Sequence, residues 1–158
     1  MLKSFAVVLS LALLSTGVTA ETPDATPNGL STPAARAAIA NRRAIFTLIG
    51  NNFRPVGEVL RTGTVTGPID PQKYARRVAL LAGFLPDAFP VISGSGDTRA
   101  RQEIWSDHAQ FDQLLQDFQL HAGQLAQVDF THDAAAFRAA AATVAQDCKS
   151  CHQRYRSD

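Results

Sequence analysis

Methionine is almost missing from this chain of 158 residues, the single one being Met1. Cysteine is nearly as scarce. The two residues, Cys148 and Cys151, are too few for a secreted disulfide scaffold and so close together that a bond between them closes only a trivial loop. Their use is therefore chemical. An excess of charge of one sign is also lacking, since 15 Lys and Arg face 14 Asp and Glu for a formal charge of +1. That balance excludes a general nucleic-acid binder and an acidic disordered tail. Long apolar runs are confined to one place, Phe5 to Val18, which is shorter than the roughly 20 residues that span a bilayer. It follows the positive start Met1-Leu2-Lys3 and precedes the small residues Val18-Thr19-Ala20 that a signal peptidase accepts. Residues 1–20 thus read as a cleaved signal peptide, with export to a bacterial periplasm and no membrane span. Losing Lys3 with the leader makes the mature chain formally neutral, so steering by net charge is not expected.

What remains suits one globular domain. Residues 21–31 (ETPDATPNGLS) have no periodicity and read as a loose tail, and residues 32–158 as the folded domain. Thr32-Pro33 has the form of an N-cap with proline at the first helical position. Ile39, Phe46, Ile49, Phe53 and Val56 then mark a first helix that Pro55 should kink or stop, with the GTVTG run at 63–67 ending the segment. Asp70-Pro71 repeats the cap, and Tyr74, Val78, Leu81 and Leu85 mark a second helix. Residues 86–98, rich in Pro, Gly and Ser, read as a flexible connection of the kind that lines sites. Asp107 is placed to cap a third helix with the face Phe111, Leu114, Leu115, Phe118, Ala122 and Leu125. A fourth carries Ala134, Phe137, Ala141, Val144, Cys148, Cys151 and Tyr155 on one seam. Four amphipathic helices, no strand candidate and mostly short connections predict an all-α, up-down-up-down antiparallel four-helix bundle.

Cys148-Lys149-Ser150-Cys151-His152 is a C-x-x-C-H sequence, the pattern that attaches haem covalently. Offsets of three and four residues put both sulfurs and the imidazole on one helix face, so two thioethers can anchor the porphyrin while His152 reaches the iron. Two other chemistries use the same residues less well. A redox-active C-x-x-C normally sits at a helix N-terminus after a strand, whereas this pair ends an alanine-rich helix. Zinc would lack a fourth ligand.

On its C-terminal CKSCHQRYR, the middle GDTRARQEIWSDHAQF and the NRRAIFTLIG of the first helix, the chain resembles the class II c-type cytochromes, and within them cytochrome c′. The resemblance implies one covalent haem c at the end of the bundle, held at Cys148 and Cys151 with His152 as axial ligand. Low-spin relatives supply a methionine from the first helix, which Met1, lost with the leader, cannot do. High-spin, five-coordinate iron is the consequence. The family's distal position lies four residues after a first-helix arginine, here Arg42, and is therefore Phe46. An apolar ring there offers dioxygen no hydrogen bond but admits nitric oxide and carbon monoxide, although Phe46 also lies on the core stripe. Arg42 and, beside it, Arg43 become candidates for the haem propionates, with a solvated surface position as the ordinary alternative for each. Arg156, one turn beyond His152, is placed to tune the imidazole's surroundings. Trp105 and the loop at 93–97 are expected near the haem edge.

The function so implied is that of a periplasmic haem protein that carries single electrons or binds small diatomic gases, with a redox partner left unnamed. A low-turnover nitric oxide reductase or peroxidase, or a haem-free thiol protein, is the alternative. Dimerisation through the first two helices is common in the family, and a monomer satisfies the same patterns.

Overall fold

The computed structural model describes residues 31–158. The expected signal peptide and residues 21–30 of the expected tail lie outside them. Five helices are present among the described residues: α1 (Pro33–Thr62), α2 (Pro71–Ala82), a single turn α3 (Glu103–Ser106), α4 (His108–Gln127) and α5 (Ala134–Tyr155). The four long ones pack in the cyclic order α1, α2, α4, α5, the arrangement of an antiparallel four-helix bundle. No strand occurs among the described residues, only an isolated antiparallel bridge between Ala100 and Arg156.

The helix starts are set by the chemistry the sequence displays. Thr32 Oγ1 accepts from the Ala35 amide at 3.1 Å ahead of Pro33, and Asp70 accepts from the amides of Gln72 and Lys73 ahead of Pro71. Pro55 does not stop α1. It removes one helix hydrogen bond, but Val56 and Val59 just beyond it are 0% and 1% exposed, and their burial keeps the segment helical as far as Thr62. Gly63 then ends it at φ 77°, donating its amide to the Val59 carbonyl at 2.8 Å.

Several expected details move. The centre of the second helix's buried face is Ala75, Val78 and Ala82, with Tyr74 and Leu81 flanking it, because the alanines let neighbouring helices approach closely, and Leu85 is buried just beyond the end of α2. Ala134 is exposed at the first turn of α5, where Asp133 supplies an unanticipated cap by accepting from the Ala136 amide at 2.8 Å. Asp107 occupies the cap position of α4 but makes no side-chain cap, since Arg154 of α5 engages its carboxylate instead. The segment 86–98 is ordered into two short 3₁₀ turns, Pro86–Ala88 and Val91–Gly94, with Ser93 fully buried.

Two apolar clusters fill the bundle. The larger joins Ile49, Val56 and Val59 of α1, Val78 of α2, Phe118 and Leu125 of α4, and Phe137 and Val144 of α5. A smaller one near the C-terminal end of α5 gathers Ile104, Phe111 and Tyr155. Cys148 packs against the first and Cys151 against the second, so the C-x-x-C pair stands at their junction.

Candidate haem site

The last two turns of α5 carry Cys148, Cys151 and His152. Both cysteines are free thiols and half-buried, short of the full burial that a place on the core seam implies. Burial pushes both thiols up to about 11, helped at Cys148 by the negative charges of Asp147 and Cys151. The protonated thiol therefore dominates at neutral pH, which is opposite to the lowered pKa of a disulfide-exchanging cysteine. Alkylation of the free-thiol protein by iodoacetamide should accordingly stay slow at pH 8 and accelerate only toward pH 11. A half-maximal rate near pH 8.5 would contradict this environment.

His152 keeps much of its surface in solvent, yet partial burial of the ring, with the positive charges of Arg156 and Arg99, lowers its pKa. The neutral imidazole, which has a lone pair for a metal, is the favoured form at pH 7. Arg156 is itself exposed and is fixed by the backbone bridge to Ala100, while Arg99 arrives from the facing segment, its Nε donating to the Ser157 carbonyl at 3.0 Å. Arg99 is a neighbour that the sequence pattern did not single out.

Opposite the imidazole stands Phe46 of α1. The two ring centroids lie 6.4 Å apart with planes 63° from each other. That separation lies within the range of an edge-to-face ring pair, so the two side chains face each other directly. Phe46 also meets Phe89 edge-on at 6.1 Å, and Phe89 meets Phe111 at 4.8 Å. Thr47 and Asn51, which follow it on α1, are exposed.

Arg42 is where the structure adds most. It is only 5% exposed, and its guanidinium donates to Ser93 Oγ at 2.7 Å, Thr98 Oγ1 at 2.6 Å and, over longer distances, the carbonyls of Ala88 and Ser93. It also lies 5.0 Å above the Phe89 ring. Both terminal nitrogens are thus engaged within the chain, and of the five N–H donors only that on Nε is left for another acceptor. Burial, followed by the neighbouring charge of Arg43, lowers its pKa from a value so high that it stays charged. Arg43 points elsewhere, to the Asp97 carboxylate at 3.1 Å and the Asp97 carbonyl at 2.7 Å, in an exposed pair that raises its pKa. Between them the two arginines tie α1 to the segment 86–98. Trp105 secures the same segment from the other side: its Nε1 donates to the Phe89 carbonyl at 3.2 Å, and a Cβ added at Gly94 would lie 3.1 Å from its ring. Repeated Ser, Gly and Asp at 93–97 signalled a loop but held no sign of the buried arginine that organises it.

The other three histidines each meet an aspartate through Nδ1: His108 with Asp112, His132 with Asp129, and His121 with Asp147 across α4 and α5. A cavity of about 320 Å³ between the Pro86 turn and α4 shares the walls Phe89 and Phe111 with the smaller cluster but includes neither cysteine nor His152. No helix among the described residues is long and apolar enough to cross a membrane.

Two thiols three residues apart, a neutral imidazole beside them and a facing apolar ring make a donor set that fits a c-type haem. Comparison with known proteins agrees. Residues 37–156 match the family described as Cytochrome C′. Cytochrome c′ of Rhodopseudomonas palustris is 33% identical over 120 residues, 75% of this chain and 81% of that one. Cytochrome c′ of Alcaligenes xylosoxydans xylosoxydans is 34% identical over 122 residues, 75% and 92% of the two chains. Among solved structures, cytochrome c prime from Shewanella frigidimarina superposes with a TM-score of 0.73 at 33% identity, covering 80% of this chain and 99% of that one. A nitric oxide complex of a mutant cytochrome c prime from Alcaligenes xylosoxidans superposes with a TM-score of 0.68 at 29% identity, covering 78% and 97%. The chain therefore belongs to the cytochrome c′ family, as a c-type haem protein with one covalent haem c.

Proposed function

We propose that Cys148 and Cys151 hold the haem through thioethers, that His152 ligates the iron, and that Phe46 closes the opposite face without ligating it. The bound haem supplies one-electron chemistry and an iron atom able to take a diatomic ligand. The chain's own residues then do four things. The two sulfurs fix the macrocycle at the junction of the apolar clusters. His152, kept neutral by partial burial and by Arg156 and Arg99, offers its lone pair. Phe46 crowds the other face without offering a donor. Arg42 holds the segment 86–98 against α1, with its remaining N–H and the neighbouring Arg43 as the candidates for the haem propionates.

The observation that carries this reading is the opposition of Phe46 and His152 at 6.4 Å, together with the lack of any methionine after Met1. It favours high-spin, five-coordinate iron and a protein that binds nitric oxide and carbon monoxide or passes single electrons. The nitric oxide complex among the neighbours supports the first of these. As a cytochrome the chain is a carrier and not an enzyme. The signal-like residues 1–20 support a periplasmic location for this activity.

Phe46 provides the test. The ferrous protein is expected to bind both gases, and Phe46→Ala should bind carbon monoxide faster because a steric roof acts on ligand entry. Phe46→Met should shift the iron toward a six-coordinate, low-spin spectrum by placing a thioether at the open face. Unchanged carbon monoxide kinetics in Phe46→Ala would show that Phe46 only fills the core.

A further inference from the structure

Tyr155 ends α5 four residues after Cys151, one turn further along the same face. It is 2% exposed, packed with Ile104, Phe111 and Cys151, and its ring meets Phe111 edge-on at 5.2 Å with an interplanar angle of 89°. Its hydroxyl is the one buried side-chain polar atom among the described residues that has no hydrogen-bond partner. A buried hydroxyl without a partner loses its hydration and gains nothing in return. Phenylalanine would fill the same space and keep the contact with Phe111 at no such cost, so packing accounts for the ring but not for the oxygen.

Helical side chains lean toward the N-terminus, which carries the Tyr155 ring back over the turn that holds Cys151. That turn is also where the haem is attached on the reading given above, and this inference rests on that reading. We propose that the Tyr155 hydroxyl is a haem contact, donating a hydrogen bond to the bound haem c on its Cys151 side. The thioether sulfur at Cys151 is a weak acceptor one turn back on the same face. A donor at this edge draws electron density from the haem and so favours the reduced state, since hydrogen bonding around the cofactor is one of the levers that set its potential. Tyr155 then joins the haem-binding residues.

The test uses the matured holoprotein and Tyr155→Phe, with covalent haem verified in both by mass. The expected result is a lower reduction potential together with a lower denaturant midpoint, because the variant loses a bond that exists in the holoprotein. An unchanged potential, or a midpoint equal to or above the parent's, would overturn the proposal, since deleting an orphaned hydroxyl costs nothing. If Tyr155→Phe fails to mature, ultraviolet resonance Raman of the parent holoprotein decides between a donating tyrosine, as expected, and a tyrosine with no bond, which would refute it. A pyridine haemochrome spectrum keeps the two levels apart. If the parent shows no thioether haem, the site assignment itself fails, whereas a normal spectrum with an unmoved potential removes only the role of Tyr155.

Discussion

Replacing Cys148 and Cys151 together by alanine is expected to yield protein whose haem is extracted completely by acidified organic solvent, while the parent retains its haem through the same treatment. The thioethers bond the porphyrin edge and not the iron, so the two functions of the motif separate by mutation. In His152→Ala the haem should stay covalently attached and lose the axial imidazole signature in magnetic resonance. Both cysteines pack against apolar clusters, and the lost sulfurs leave small voids that the bundle can tolerate. Failure of the double variant to fold would therefore not be the ordinary outcome. Haem that resists extraction from it would contradict attachment at these residues.

Arg42→Ala is expected to cause the largest loss of stability of any single substitution considered. The guanidinium donates to two hydroxyls and two carbonyls of the segment 86–98, and the fully buried Ser93 would be left with its bond to the Pro90 carbonyl alone. Hydrogen bonds from a charged donor are worth about 1.5–3 kcal/mol each but do not add when they share one group, so a loss on the order of 3 kcal/mol is expected. Arg42→Lys should recover only part of it, because a single ammonium cannot reach acceptors spread over both edges of a planar fork. Chemical denaturation of the holoproteins measures both. A loss below about 1 kcal/mol for Arg42→Ala would show that the segment holds its place without the clasp.

Arg42 also shows where reading the sequence ran out. The starts of α1 and α2 were legible because each is written locally: Thr32-Pro33 and Asp70-Pro71 name their own caps, and the seam through Phe137, Ala141 and Val144 needs only its period. The C-x-x-C-H pattern was legible for the same reason, since helical spacing alone aligns its three side chains. Of the two outcomes Pro55 allowed, a kink or a stop, the stop does not occur, because propensity is local while the burial of Val56 and Val59 that overrides it is tertiary. The clasp is likewise non-local: Arg42 meets Ser93 and Thr98 more than fifty residues away, and nothing about an arginine among polar neighbours distinguishes a buried one from a solvated one. The orphaned Tyr155 hydroxyl could not have been found from sequence, where Tyr and Phe give the same apolar mark.

The coordination of the iron is the centre of this reading, and the electron paramagnetic resonance spectrum of the ferric holoprotein at neutral pH addresses it most directly. With His152 on one side, Phe46 on the other and no methionine after Met1, the spectrum should be that of high-spin, five-coordinate iron. A low-spin, six-coordinate spectrum at that pH would mean that another side chain reaches the iron and that Phe46 does not govern the open face.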